Sequence, residues 1–216
     1  MPNLNSQTLS YSPDQSHTDT QADKKKLRAT LRKQRRALSY LEQKAASKNL
    51  LKQVNRSKLL FKHQHIALYL GNDGELNPEN LIKQLWKQKK HVYLPAIHPI
   101  FKNTLCFCRI KPNPKLIKNR FGILEPDFKN TARLPRQLLS LVLMPLVAFD
   151  KAGNRMGMGG GFYDRSFAYK VKTGRSKPKL IGIAHAFQEQ TSLPLERWDV
   201  PLKGVLTDQT FYLFKD

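Results

Sequence analysis

Cysteine and acidic side chains are the scarce residues of this chain. Its 216 residues include two cysteines, and 16 aspartates and glutamates stand against 38 lysines and arginines. Both cysteines lie in Leu105-Cys106-Phe107-Cys108, on an expected strand where alternation is taken to send their thiols to opposite faces. Neither a disulfide nor a thiolate metal site is expected from them. No run of about 18 apolar residues occurs, so no membrane-spanning helix is expected. The N-terminal charges are followed by no apolar segment, so no secretory leader is read there. Together with the unpaired cysteines, that gives a cytoplasmic location as the expectation.

The shortage of acid leaves a formal net charge of +22. Such a balance suits nucleic acid or an anionic small molecule. The basic residues are spread along the whole chain, however, and no helix-turn-helix, RNA-recognition strand or zinc pair accompanies them. Most of this charge therefore reads as solvated surface, and neither nucleic acid nor a membrane is expected as a partner. Residues 1–22, rich in Ser, Thr, Gln, Asn and Asp, are expected to form a disordered polar tail. Residues 23–216 suffice for one well-buried domain.

Glycine is concentrated in one place. The stretch Leu141–Arg165 opens with an apolar run, Leu141 to Met144, that reads as a strand buried on both faces. A turn carried by Asp150, Gly153 and Asn154 follows, and then come Gly157, Gly159, Gly160 and Gly161. Closely spaced glycines let backbone N–H groups converge on an anion with no Cβ in the way. The residues from Phe162 to Tyr169 contain no helix breaker, so the loop should feed a helix N-terminus, which favours phosphate through its free donors and its dipole. Arg155, just before the glycines, could clamp phosphoryl oxygens, and Asp164, just after them, could hold magnesium. No Gly-Lys-Ser/Thr follows, and the third glycine is misplaced for a dinucleotide fingerprint.

Elsewhere the chain alternates. From Asp23 a basic helix carries Leu27, Leu31 and Leu38 on one face, and on another Lys24 and Arg28, four apart, can reach the same anion. Ser39-Tyr-Leu-Glu42 is a capping box opening a helix to about Arg56. His65–Leu70 reads as a strand running into a loop with Glu75, and Asn77 caps a helix from Pro78 to about Lys90. Strands are also expected at His91–Leu94, Leu105–Ile110 and Leu180–Ala184. Strands separated by helical stretches imply an α/β fold: a single domain with a largely parallel sheet flanked by helices, Rossmann-like and three-layered. In such sheets ligands sit beyond the carboxyl ends of the strands, which makes the loop of Glu75 a candidate wall.

The segment Phe149-Asp150-x-x-Gly153-Asn154-Arg155-x-Gly157-x-Gly159-Gly160-Gly161-Phe162-Tyr163-Asp164-Arg165 resembles the signature of 5-formyltetrahydrofolate cyclo-ligases, also called methenyltetrahydrofolate synthetases. Phe121-Gly122-Ile123-Leu124-Glu125-Pro126 is similar to that family's aromatic-Gly-Ile-x-Glu-Pro element, and 193–202 to its closing segment. The resemblance runs from about Lys24 to Asp208. It implies ATP- and Mg2+-dependent conversion of 5-formyltetrahydrofolate, polyglutamylated forms included, to 5,10-methenyltetrahydrofolate, with ADP and phosphate released.

Carried over by position, the resemblance puts Lys24, Arg28, Arg155, Gly157, Gly159, Gly160, Gly161, Phe162 and Tyr163 at ATP, with Arg155 catalytic. It puts Leu70, Glu75, Phe121 and Tyr163 at the folate, and the metal on Asp164 and Asp199. The chain is expected to act as a monomer. Two positions depart from the family pattern: Lys203 stands where an acid is common, and Phe162 where a tyrosine is usual. Two other readings remain open at this point. One is a different small-molecule kinase using the same phosphate loop; the other is a basic nucleic-acid binder that keeps the fold without the catalysis.

Overall fold

The apolar run at 141–144 has no polar position to leave in water, and it lies inside an eight-stranded sheet in the computed structural model, which describes residues 15–214. The chain begins with α1 (Gln15–Ala37), α2 (Tyr40–Ser57), β1 (His65–Ala67), α3 (Glu79–Lys87), β2 (His91–Ile97) and β3 (Leu105–Ile110). Short strands follow: β4 (Leu116–Lys118), β5 (Leu124–Pro126) and β6 (Arg133–Leu134). The last part contains β7 (Leu141–Pro145), β8 (Ala148–Phe149), β9 (Arg155–Met156), α4 (Phe162–Thr173), β10 (Lys179–Ala184), β11 (Gly204–Thr207) and β12 (Phe211–Leu213). In the main sheet the order is β12-β11-β10-β7-β1-β2-β3-β6.

Pairing is parallel from β2 through β1, β7 and β10 to β11, and antiparallel at both edges. The expected alternation of strand and helix therefore fails at β3. Only a short turn separates β2 from β3, and a parallel pair needs a crossover of about a dozen residues or more. Period-two alternation divides the central strands between two cores. Ile66, Leu141, Leu143, Ile181 and Ile183 pack with Leu50 and Val54 of α2 and Leu81 and Leu85 of α3. Ala67, Val142, Met144, Leu180 and Ala184 pack with Phe167 of α4 on the other face. A third cluster joins Leu31 of α1 to Val147, Ala148, Met156 and Leu193, so the basic helix is docked beside the strand pair that leads into the glycines.

The capping box is formed: Ser39 and Glu42 exchange side-chain and backbone hydrogen bonds at the start of α2. The residue before α3 is Pro78, not the Asn77 read as its cap, and Asn77 Oδ1 accepts the Glu79 N–H at 2.9 Å from one position further out. Helix α1 begins at Gln15, upstream of the Asp23 cap read from the sequence, so of the expected tail 1–22 the part at 1–14 lies outside the described residues. Cys106 and Cys108 share a face and their thiols interact, which corrects the expectation of opposite faces. Residues two apart on a strand point the same way. Both are free, and Cys108 is buried. No helix among the described residues is long and apolar enough to cross a membrane.

Leu143 is fully buried in the α2–α3 core. Leu143→Ala is expected to lower the unfolding free energy by about 2–5 kcal/mol, because a cavity adds to the lost transfer energy. Chemical denaturation should show this as a lower midpoint at unchanged slope; an unmoved midpoint would refute the packing assigned to it.

Candidate functional site

Four hydrogen bonds to one buried carboxylate fix the entry to the glycine loop. Asp150 Oδ1 accepts the N–H groups of Ala152 and Asn154, and Oδ2 accepts Asn154 Nδ2 and the Leu193 N–H, all at 2.9–3.0 Å. This closes the turn between β8 and β9 and aims Arg155 out of β9. The glycines then lead directly into α4. Gly161, at φ +63, is the residue before the helix, and no side chain caps the first turn, so its N–H groups are left for a ligand. The basic helix reaches this loop through one of its two singled-out positions, Arg28, whose Nε donates to Gly157 O at 2.9 Å. Arg165, which sequence reasoning did not single out, donates to Gly160 O at 2.7 Å.

The remaining charged residues form a cluster beside the loop. Arg155 has little exposed surface; its Nη2 pairs with Asp164 Oδ1 and its Nη1 donates to Val200 O. Asp164 Oδ1 also accepts the Val200 N–H at 3.2 Å. Asp199 accepts the Glu196 N–H, and its carboxyl is pushed above the usual range by burial, with the Asp164 charge adding in the same direction. Lys24, the second expected basic position, is buried and pairs with Glu196 at 2.8 Å. Among the described residues no three or more His, Cys, Asp or Glu side chains are grouped to hold a metal. Two neighbouring carboxylates nevertheless suit Mg2+, which takes one or two protein carboxylates and completes its shell with water and substrate phosphates. The donor set fits a metal that arrives with a nucleotide.

Against this cluster lies a cavity of about 580 Å3. Leu70, Glu75, Phe121, Arg155, Gly157, Gly160, Gly161, Phe162, Tyr163 and Asp164 all line it, together with the apolar side chains of Leu94, Pro95, Ile97 and Leu105. Of the residues expected from the sequence, Lys24, Arg28, Gly159 and Asp199 fall outside its lining. Phe121 is exposed and stands edge-on to the Phe162 ring, with centroids 5.9 Å apart. Glu125 holds the frame: its Oε2 accepts Ile97 N–H and Asn119 Nδ2, each at 3.0 Å. Arg32 and Asp73 also line the cavity, and no local pattern announces them because their contact spans 41 positions.

Glu75 is the half-buried acid of this cavity, its side chain 12% exposed. Burial pushes its carboxyl up to about 7, against the pull of Arg35. The Tyr69 and Tyr163 phenols, close enough to sense its charge, are also raised, first by burial. The folded state thus holds the Glu75 proton more tightly than the unfolded chain. Its contribution to stability is complete below the ordinary carboxylate range and is lost as the pH rises through about 7. Glu75→Gln is therefore expected to be more stable relative to the native chain at pH 8 than at pH 4. Equal differences in denaturation midpoint at the two pH values would contradict this.

Residues 20–208 match the model of the 5-formyltetrahydrofolate cyclo-ligase family. A 5-formyltetrahydrofolate cyclo-ligase of Haemophilus influenzae is 40% identical over 184 residues, covering 85% of this chain and 96% of the relative. That of Escherichia coli K12 is 38% identical over 177 residues, covering 82% and 96%. Among solved structures, the 5,10-methenyltetrahydrofolate synthetase of Aquifex aeolicus superposes with a TM-score of 0.74 at 29% identity, covering 89% of this chain and 93% of the other.

Proposed function

The chain belongs to the 5-formyltetrahydrofolate cyclo-ligase family and is an enzyme of that kind, and from this premise we propose that it converts 5-formyltetrahydrofolate to 5,10-methenyltetrahydrofolate with MgATP as cosubstrate in the cytoplasm. One observation carries the reading. The glycine loop and Arg155–Asp164 form one wall of a cavity whose other parts include Glu75, Phe121 and apolar side chains, an arrangement that supports a phosphate group and a flat ring bound side by side.

An N5-formyl group is an amide, and its oxygen is a poor leaving group. In the proposed reaction that oxygen attacks the γ-phosphorus of ATP, the bond to the β-phosphate breaks and ADP leaves. N10 then adds to the formyl carbon and gives up its proton, and the C–O bond breaks with its electron pair departing on phosphate. The protein's part is mostly positioning and charge. Glycine-loop N–H groups and the α4 terminus hold phosphoryl oxygens, and Arg28 and Arg165 add positive charge around the loop. Arg155 faces the transferring group from the cavity wall. Glu75 can accept hydrogen bonds from the pterin edge, and Phe121 and Phe162 present aromatic surface to its ring. Magnesium, which Asp164 and Asp199 would hold together with the phosphates, would offset the phosphoryl charge.

The test is direct. Purified protein mixed with 5-formyltetrahydrofolate and MgATP should develop the near-ultraviolet absorbance of the methenyl product, and should not when ATP is omitted. ATP bound without that absorbance would redirect the assignment to another phosphoryl acceptor.

A further inference from the structure

One carboxylate collects three arginines in this fold, and it stands two residues before Glu75. Asp73 Oδ2 takes Arg32 Nε at 2.7 Å and Arg35 Nη2 at 2.8 Å, and its Oδ1 takes Arg36 Nε. All three donors come from the C-terminal part of α1. A single carboxylate in a surface turn needs no such company. Two of the arginines also approach the site: Arg32 lines the cavity, and Arg35 is fully buried, its Nη1 donating to Leu146 O just beyond β7 and lying 4.0 Å from Glu75 Oε1.

The backbone explains what is being held. Asp73 at φ +52 and Gly74 at φ +73 are consecutive left-handed residues, a conformation that a non-glycine residue adopts only when its surroundings hold it there. The turn lies so close to α1 that a Cβ at Gly74 would sit 2.6 Å from Arg35 O. Gly74 O is held in turn by Gln43 Nε2 at 3.1 Å and by the His185 ring at 3.2 Å. The turn delivers Glu75, whose Oε2 accepts the Asn72 N–H at 3.2 Å, into the cavity.

We infer that Asp73, clamped by Arg32, Arg35 and Arg36, is a positioning residue that fixes Glu75 for the folate side of the reaction. The inference deepens the proposed function and rests on it for the identity of the ligand. The groups facing Glu75 are Arg35 and Arg32 from α1, Asp73 of its own loop, Tyr69 beyond β1 and Tyr163 of α4. Asp73 contacts neither the glycine loop nor Arg155 in any of its hydrogen bonds, so its loss should spare the nucleotide side.

The experiment uses the full chain with Asp73→Asn, and with Arg36→Gln as a milder variant because Arg36 is largely exposed. Asp73→Asn is expected to raise the KM for 5-formyltetrahydrofolate about 10- to 100-fold, as small misplacements do, while the KM for ATP and kcat change much less. The Glu75 carboxyl, followed by NMR in protein labelled with carboxyl-13C glutamate, should titrate lower than in the native chain, because a like charge is removed and the arginines are left unbalanced. Arg36→Gln should raise the folate KM in the same sense by a smaller factor. A folate KM that is unchanged, or that rises in step with the ATP KM, would overturn the inference. So would an unmoved Glu75 titration, and that readout needs no turnover. Absence of methenyl product from the native chain would sink the proposed function alone, leaving the titration to decide whether Asp73 acts on Glu75. Should Asp73→Asn fail to fold, Arg36→Gln decides by the same measurements.

Discussion

Arg155→Ala is expected to lower kcat by about 100- to 1,000-fold, the usual loss when a preorganised donor to developing charge is removed. The folate site should remain, because Glu75, Phe121 and the apolar wall do not depend on this side chain. The guanidinium has a second duty that sharpens the test. It pairs with Asp164 and donates to Val200 O with little of its surface in water, so truncation leaves a partly buried carboxylate without its cation. A fall in melting temperature should accompany the loss of turnover. Arg155→Lys separates the effects: it restores a charge beside Asp164, but without the planar fork it cannot hold Asp164 and Val200 together. The lysine variant should recover most of the stability and little of the turnover. Binding of 5-formyltetrahydrofolate, followed by protein fluorescence, should stay close to native in both. Near-normal turnover in Arg155→Ala would remove the residue from the mechanism.

The glycine loop was legible because its residues are local: Asp150, Arg155, the four glycines and Asp164 lie within 15 consecutive positions and carry the backbone conformation, the helix start and the charge together. The double burial of β7 was legible for a similar reason, since an apolar run has no polar face to expose. The antiparallel edge was not read, because it depends on the shortness of the 98–104 connection, which apolar periodicity does not weigh. The thiol arrangement at Cys106 and Cys108 was readable and misread, since period two puts both on one face. The clamp on Asp73 had no local signal at all. Arg32, Arg35 and Arg36 look like a solvated basic helix face until folding brings the β1–α3 loop against them. Lys24 shows the converse: helical spacing placed it on the side of Arg28, but whether it meets Glu196 or a ligand is decided by a segment 172 positions away. Residue type suggested which side chains to look for, and their partners came from topology.

Asp164→Asn gives the second large effect and isolates the metal. Asparagine keeps an oxygen that can accept the Val200 N–H and Arg155, so the local frame should survive, and what is lost is one negative charge next to Asp199. If Mg2+ enters on its phosphate and is completed by these two carboxylates, the Mg2+ concentration giving half-maximal turnover should rise about 10- to 100-fold or more, since even partners behind the ligands cost that much in metal sites. The same change should appear without turnover, as weaker calorimetric binding of MgADP beside little change for ADP alone. Asp199 should respond too. Without the Asp164 charge its carboxyl should titrate lower, because one of the influences raising it is gone. Asp199→Asn should then reproduce the higher metal requirement with less loss of stability, since Asp199 is not paired with Arg155. An unchanged metal titration in Asp164→Asn would assign the ion elsewhere and reduce the Arg155–Asp164 pair to a structural tie between β9 and α4.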